Sequence, residues 1–173
     1  DRSPSRGLGD VYKRQITARR DDDAHERKPS FSIVRTGSDI SVAFSGIPMG
    51  HEFSSLVLAL LQVGGNPIKD DKDLIEQVEN LDGDYEFVTY MSLTCQNCPT
   101  VVQALNTMAV LNPRIKHTAV EGSLFQDEVK ENNVLAVPTI YLNGEEFGQG
   151  RTTIEDFVRK LDSGSAAREA KKL

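Results

Sequence analysis

Residues 86–106, EFVTYMSLTCQNCPTVVQALN, place a short β-rich run, a pair of cysteines and the start of an amphipathic helix in direct succession. The EFVTYM run has the aromatic and β-branched composition of a strand, and the apolar residues after the cysteines recur at helical spacing. Cys95 and Cys98, the two cysteines of the 173-residue chain, lie at this junction. The stretch therefore predicts a strand that leads through a CxxC pair into a helix.

The residues that follow predict an alternating α/β domain over 83–162. In chain order the pattern predicts a helix over 98–111, a strand over 115–120, a helix over 125–132, strands over 139–142 and 145–148, and a helix over 152–161. The alternating first part implies a parallel βαβ unit. The Asn143-Gly144 turn predicts an antiparallel hairpin after it. Helices are expected on both faces of the sheet.

An upstream segment repeats the second half of this pattern. Residues 28–61 and 137–161 both show a proline, a strand, a turn, a strand, a glycine and a helix, and Pro29 corresponds to Pro138. Apolar residues in the first copy, including the LVLALL run, recur at helical spacing and are predicted to form its core face. We therefore expect a partial, cysteine-free β-β-α half domain over residues 28–82.

The two ends of the chain carry no such pattern. Residues 1–27 are polar and contain the charge block RRDDDAHER, so they are predicted to be disordered. Residues 2–15 resemble translated vector sequence, a non-native scar. Because a βαβ half needs about 30 or more residues, the first domain is expected to be truncated at its N-terminus. Residues 163–173 are predicted to be a polar linker.

Composition argues against several classes of protein. A net charge of -6 does not favour non-specific attraction to nucleic acid or anionic lipid. The longest apolar run, at 56–61, is far shorter than the roughly 20 residues of a membrane span. Two cysteines do not form a secreted disulfide framework. We expect a cytoplasmic protein with neither nucleic acid nor membrane as its partner.

The CxxC pair allows a metal, a structural or a redox interpretation. A zinc site needs about four ligands, and His25, His51 and His117 are each isolated in the sequence. A structural disulfide across so short a loop constrains the unfolded chain little. At a helix N-terminus, unpaired N–H groups and the macrodipole favour a thiolate. We therefore favour a redox centre in which Cys95 attacks and Cys98 resolves the mixed disulfide.

Val137 and Pro138 begin a predicted strand that should face the CxxC pair. A cis X-Pro bond there would leave the preceding backbone free to pair with an extended substrate. The alternative is a simple entry into an edge strand. We favour partner binding, and we expect Thr94, Gln96 and Asn97, which flank the cysteines, to contribute to it.

Residues 83–162 resemble a thioredoxin- or glutaredoxin-like domain. Further segments extend the likeness to one family, among them RKPSF (27–31), GHEFSSLVLALL (50–61), CQNCPTVVQALN (95–106) and VPTIYLNGEEFGQGR (137–151). Over residues 27–173 the chain is similar to the N-terminal tandem thioredoxin-like module in the family of alkyl hydroperoxide reductase F subunits. The resemblance implies a three-layer α/β/α fold, with one complete thioredoxin-like domain preceded by the partial cysteine-free half.

The family resemblance also implies a function and partners. The module would relay electrons from a fused NADH-dependent flavoprotein domain to a peroxiredoxin, the C subunit, in the reduction of alkyl hydroperoxides and hydrogen peroxide. FAD and NADH would bind a C-terminal part of a homodimeric full-length protein, beyond the linker at 163–173. No GxGxxG follows a strand in this chain, so we expect neither cofactor to bind it. A stand-alone glutaredoxin-like oxidoreductase and a non-catalytic thioredoxin-like interaction domain remain alternatives.

Two further residues take an expected role from the resemblance. Glu52 matches an acidic residue that the cysteine-free fold places near the disulfide, where a carboxylate could accept the proton of the resolving thiol. The alternative is a solvated glutamate at a helix start. Gln96 lies beside the attacking sulfur, where relatives often have His. We therefore expect the reduction potential of this cysteine pair to differ from that of the relatives.

Overall fold

The structure is a computed structural model that describes residues 16–19 and 26–170, with residues 163–170 described by their backbone alone. The fold is built on a six-stranded mixed sheet. The strands are β1 (Ser30–Val34), β2 (Ser41–Ser45), β3 (Tyr85–Met91), β4 (Ile115–Glu121), β5 (Thr139–Leu142) and β6 (Glu145–Gln149). The helices are α1 (Phe53–Val63), α2 (Lys72–Glu79), α3 (Cys98–Leu111), α4 (Gln126–Glu131) and α5 (Ile154–Ala170), and a 3₁₀ turn, Gly50–Glu52, precedes α1.

The strand order places several loops at one edge of the sheet. The order is β1-β2-β4-β3-β5-β6, in which β2, β4 and β3 run parallel and the other pairings are antiparallel. The carboxyl ends of the three parallel strands therefore meet at the edge where β5 begins. In α/β sheets this is the edge that binds ligands. Residues 46–50, 92–97, 121–125 and 134–138 form it, and we call it the carboxyl edge.

Helices cover both faces of the sheet, as the three-layer prediction requires. Successive side chains of β3 point to opposite faces. The Phe87 ring meets Phe157 of α5 at a centroid distance of 5.6 Å, whereas the Tyr90 hydroxyl donates to Glu128 of α4 at 2.7 Å. The main hydrophobic core lies on the Phe87 side, beneath α3, which is buried along most of its length.

The cysteine-free segment is built into the same sheet as the CxxC domain. β1 and β2 form an antiparallel pair, and β2 pairs in parallel with β4, where Phe44 is opposite Ala119. Pro29 and Pro138, which correspond in the sequence repeat, both follow cis peptide bonds. After β2, α1 packs against α3. The β-β-α segment thus extends the sheet of the CxxC domain instead of forming a sheet of its own.

The predicted core face of α1 is wrong. The apolar side chains of Phe53, Val57 and Leu61 are 53%, 41% and 47% exposed. The helix instead buries a stripe that consists of Ser55, Ala59, Gln62 and Val63. Polar side chains of α3 meet this stripe, and Thr107 donates to Gln62 at 3.1 Å. Hydrogen-bonded and small side chains form this contact, so apolar periodicity alone did not indicate it.

The ends of the described chain differ from the predicted boundaries. α5 continues to Ala170, beyond the predicted end at Leu161. Arg27, placed by prediction in the disordered tail, is held on α4 because its guanidinium donates twice to Glu128. Residues 1–15 and 20–25 of the predicted tail lie outside the described residues, as do 171–173. Within residues 16–19 and 26–170, no helix has both the length and the apolar character needed to cross a bilayer.

Candidate active site

The two cysteines form a disulfide at the start of α3, on the carboxyl edge. The Cys95 amide donates to the carbonyl of Ser92 at 3.1 Å, which closes a turn directly after β3. Pro99 occupies the first turn of α3, where a helix needs no backbone donor. The turn ends the strand and the proline favours the start of the helix, so the cysteine pair lies at the junction of β3 and α3.

The two sulfur-bearing residues have different surroundings. Cys98, the first residue of α3, is fully buried, whereas Cys95 is only partly buried and lies at the carboxyl edge. The backbone N–H of Cys98 points at the Cys95 sulfur, with an N–Sγ distance of 3.1 Å. A partner can therefore reach Cys95 more readily than Cys98, and the helix start offers a hydrogen-bond donor to the Cys95 sulfur.

The loop at 134–138, which we call the prolyl loop, lies directly beside the disulfide. The Val137 carbonyl oxygen is 3.8 Å from the Cys95 sulfur. Val137 precedes the cis peptide bond and is 38% exposed, whereas Pro138 is buried. Within the described residues the Val137 N–H makes no hydrogen bond. A backbone donor and acceptor beside the reactive sulfur can pair with an extended segment of another protein.

The predicted partner-binding residues before α3 line the rim of the same site. Thr94, Gln96 and Asn97 are all exposed. Thr94 lies in the turn that precedes the disulfide, where its hydroxyl is 3.2 Å from the Ser92 hydroxyl. The structure therefore brings these three residues, Cys95 and Val137 to one surface, with Cys98 buried behind it.

Glu52 belongs to the 3₁₀ turn that packs against α3. The His51 amide donates to the Leu93 carbonyl at 3.0 Å and ties this turn to the loop that carries the cysteines. The Glu52 side chain is fully buried, and neither carboxylate oxygen has a hydrogen-bond partner among the described residues. Burial raises the pKa of Glu52 to about 7, against the lowering influence of the nearby Ser55 hydroxyl. The solvated-glutamate alternative is therefore wrong for this residue.

Sequence reasoning missed the polar residues beside Glu52. Gln103 of α3 donates through Nε2 to the hydroxyls of Ser54 and Ser55, at 3.2 and 3.1 Å. These contacts join the first turn of α1 to α3 directly behind the turn that holds Glu52. A serine pair and a distant glutamine form no recognisable sequence pattern, so only the packing of the two helices indicated them.

His117 lies in the core, away from the surface that carries Cys95 and Val137. Nδ1 is 2.7 Å from Asn106 Oδ1, and Nε2 is 2.9 Å from the Thr89 hydroxyl. Because an amide oxygen only accepts, Nδ1 carries the proton and Nε2 accepts from Thr89. Burial lowers the pKa of His117 to about 3, so the ring is neutral. Both nitrogens are engaged, and among the described residues no three His, Cys, Asp or Glu side chains are grouped to hold a metal.

The residues present do not fit FAD or NADH. Dinucleotides bind at a glycine-rich turn between a strand and a helix. In this chain the connection after β3 carries the cysteine pair, and the connection after β4, at 122–125, contains one glycine. The connection after β2 contains Gly46 and Gly50 but no GxGxxG pattern. An apolar pocket beside the connection after β4 has a volume of about 210 Å³, below the roughly 300 Å³ at which small-molecule pockets begin.

The fold, the disulfide at a helix start and the adjoining prolyl loop define a thioredoxin-like dithiol–disulfide module. A thioredoxin-domain family profile matches residues 87–163. The alkyl hydroperoxide reductase F subunit of Pseudomonas aeruginosa is 63% identical over 152 residues, which are 88% of this chain and 29% of that protein. A protein of Bacillus subtilis named NADH dehydrogenase is 57% identical over 143 residues, 83% of this chain and 28% of that protein.

A solved structure extends the likeness to the upstream segment. The N-terminal domain of the alkyl hydroperoxide reductase F subunit of Enterococcus faecalis matches with a TM-score of 0.73 and 28% identity, covering 92% of this chain and 72% of that one. Over most of its length the chain is therefore similar, in sequence and in fold, to the N-terminal thioredoxin-like modules of alkyl hydroperoxide reductase F subunits. It spans less than a third of the length of the curated relatives that it matches.

Proposed function

We propose that this chain is a dithiol/disulfide relay that passes electrons from an NADH-dependent flavoprotein domain to a peroxiredoxin. The observation that carries the proposal is the asymmetric pair, with Cys95 accessible beside the Val137 backbone and Cys98 buried behind it. The names of the relatives support the electron source and the hydroperoxide-reducing partner. FAD and NADH belong to the flavoprotein domain, since no described residue forms a site for either.

Electron transfer to the partner proceeds by two successive thiol–disulfide exchanges. In the reduced chain, the Cys95 thiolate attacks one sulfur of the partner disulfide, and the other partner sulfur leaves as a thiolate. Cys98 then loses its proton and attacks the Cys95 sulfur, which re-forms the disulfide and releases the second partner thiolate. The partner gains two electrons and this chain loses two. The flavoprotein domain supplies two electrons for the next cycle.

Glu52 is the proposed acceptor of the Cys98 proton. A buried carboxylate without hydrogen-bond partners, with a pKa raised to about 7, can take up a proton near neutral pH. Cys98 is itself fully buried and cannot pass its proton directly to solvent. The 3₁₀ turn that carries Glu52 packs against α3, the helix that begins at Cys98.

Partner binding is proposed to use the backbone of Val137, preceding Pro138, and the exposed rim of Thr94, Gln96 and Asn97. An extended segment of the peroxiredoxin would pair with the free Val137 groups and present its disulfide to Cys95. Residues 83–162 act as the redox domain, residues 28–82 as the cysteine-free half, and residues 163–173 lead towards the flavoprotein domain. We propose a cytoplasmic location and a homodimeric full-length protein.

The test is a direct transfer experiment with the reduced chain. Reduced wild type is mixed with the disulfide form of an alkyl hydroperoxide reductase C subunit, and the thiols gained by that protein are counted. The Cys98→Ser variant should accumulate a mixed disulfide with the peroxiredoxin, and Cys95→Ser should not. Efficient reduction of the Cys95–Cys98 disulfide by glutathione, without electron transfer to the peroxiredoxin, would instead support a glutaredoxin-like function.

A further inference from the structure

The carboxyl edge exposes apolar residues that the proposed exchange reaction does not use. Leu135, in the prolyl loop, is 91% exposed, and Leu124, in the connection after β4, is 56% exposed. Neither residue was singled out by the sequence. Exposed apolar groups that cluster at one site commonly mark an interaction surface.

A small pocket lies between these two loops. Its volume is about 210 Å³, and Gly122, Val129, Val134, Leu135, Ala136 and Val137 line much of it. The pocket is smaller than a typical small-molecule site and has the size class of one amino-acid side chain. Val137 is shared between the pocket and the disulfide, because its carbonyl oxygen is 3.8 Å from the Cys95 sulfur. The pocket and the reactive sulfur therefore adjoin one another.

The carboxylate in the pocket wall, that of Glu121, already accepts hydrogen bonds within the protein. Glu121 is nearly fully buried, and its carboxylate accepts from the Ser123 hydroxyl at 2.6 Å and from the Leu124 amide at 3.1 Å. Among the described residues, no basic side chain lines the pocket. An acidic side chain that entered would find no counter-charge and would lose its hydration. An apolar side chain would instead gain burial.

Strand geometry specifies what reaches the pocket. A segment that pairs with Val137 is extended, and its side chains alternate between two faces, about 3.3 Å apart per residue. A cysteine placed against Cys95 therefore has the residue two positions away on the same face, roughly 7 Å along the segment. This residue is within reach of a pocket that begins at Val137.

We propose that this pocket is a specificity subsite for an extended, disulfide-bearing protein segment with an apolar side chain two residues from its reactive cysteine. The inference rests on the proposed disulfide exchange at Cys95. It adds a preference for the sequence around the partner cysteine. Leu135 forms the open wall of the subsite, and Gly122 lies at its floor beside Val129.

The test uses synthetic peptides that carry one cysteine in mixed disulfide with thionitrobenzoate. The reduced chain is mixed with peptides that have Leu or Asp two positions before or after the cysteine. The Cys95 thiolate displaces thionitrobenzoate as the coloured thiolate, and Cys98 then releases the peptide thiol. We expect the wild type to react about tenfold faster with the preferred Leu peptide than with its Asp counterpart.

Two variants test the wall and the floor of the pocket separately. Leu135→Ser removes the apolar wall, and Gly122→Ala adds a methyl group that would lie 3.3 Å from Val129 and partly fill the space. Either change should bring the Leu-to-Asp rate ratio towards one. Leu61→Ser makes the same substitution at an exposed apolar residue on α1, and its ratio should equal that of the wild type. If Gly122→Ala does not fold, Leu135→Ser decides the outcome.

The proposed subsite is contradicted if the wild type shows no preference for the Leu peptides over the Asp peptides. It is also contradicted if folded Leu135→Ser retains the wild-type ratio of the Leu and Asp rates. Failure of the wild type to reduce an oxidised peroxiredoxin would contradict the proposed function but leave the peptide ratio measurable. Failure to react with any of the peptides would overturn both proposals.

Discussion

The backbone nitrogen of Cys98 lies 3.1 Å from the Cys95 sulfur, so the first N–H of α3 is directed at the accessible member of the pair. In the reduced chain the same donor would stabilise a negative charge on Cys95. Cys98 is fully buried in the apolar core. The two sulfurs therefore differ in access and in electrostatic environment.

Reduced Cys95 should react with iodoacetamide at least about tenfold faster than Cys98 at neutral pH, because the helix start favours its thiolate. The measurement compares alkylation rates of Cys98→Ser, which retains Cys95, with those of Cys95→Ser. A denatured sample of each variant is the control, in which the two rates should converge. Faster alkylation of Cys98 in the folded protein would reverse the assigned order of attack.

Gln96→His should raise the reduction potential of the pair by roughly 10–30 mV below about pH 7, since each 30 mV corresponds to about 1.4 kcal/mol. Gln96 is exposed beside Cys95, and a protonated imidazole there would stabilise the thiolate of the reduced form. Equilibration with dithiothreitol measures the potential. Gln96→Asn is the neutral control and should not shift it. An equal shift in both variants would exclude the charge as the cause.

Glu52→Gln should slow formation of the Cys95–Cys98 disulfide from a mixed disulfide, by on the order of 100-fold if proton transfer limits the step. The variant removes the proposed proton acceptor but keeps the side-chain volume. The rate is followed by stopped flow at several pH values. The initial attack by Cys95 serves as the internal control and should be unaffected. An unchanged resolution rate would remove Glu52 from the mechanism.

Glu52 and His117 should also make opposite contributions to the pH dependence of stability. The folded pKa of Glu52, about 7, lies above its ordinary value of 4.5, so the folded state holds this proton more tightly. The contribution of Glu52 to the free energy of unfolding is therefore fully present below about pH 4.5 and is lost as the pH rises to about 7. The folded pKa of His117, about 3, lies below its ordinary value of 6.5. The contribution of His117 to the free energy of unfolding is fully present above about pH 6.5 and is lost on acidification.

Urea denaturation of single variants at several pH values separates the two contributions to the pH dependence of the free energy of unfolding. In Glu52→Gln, the free energy of unfolding should fall on acidification below about pH 6.5, by up to about 1.4 kcal/mol per pH unit. In His117→Asn, the free energy should rise as the pH is lowered from about 7 to 4.5, by on the order of 2–3 kcal/mol in total. The double variant should lack both slopes. A Glu52→Gln profile parallel to that of the wild type would contradict the buried, raised-pKa state of Glu52.

The order of secondary-structure elements could be predicted well from local pattern. The predicted bounds of α3, 98–111, agree with the structure because Pro99 and the preceding turn mark its start. β5 likewise has the predicted bounds, since the Asn143-Gly144 turn ends it sharply. The predicted bounds of the last helix, 152–161, are wrong: α5 runs over Ile154–Ala170, and its polar extension beyond Leu161 has no apolar period to indicate it.

The packing of α1 could not be predicted in the same way. Its apolar residues suggested a core face, but the helix buries Ser55 and Gln62 against polar groups of α3. Side-chain hydrogen bonds between two helices depend on residues that are distant in sequence. The pocket beside Leu135 could not be predicted for the same reason, because its lining comes from the ends of β3 and β4, from α4 and from the loop before β5.

By itself, the sequence determined the position of the disulfide, the start of the helix behind it and the likeness to one family, since these depend on neighbouring residues and recognisable motifs. Only the tertiary structure decided that Glu52 is buried, with no hydrogen-bond partner among the described residues, and that the Val137 backbone lies beside the Cys95 sulfur. The physical reason is that burial and proximity arise when strands and helices from distant segments pack together. Such packing sets the environment of each charge and each sulfur.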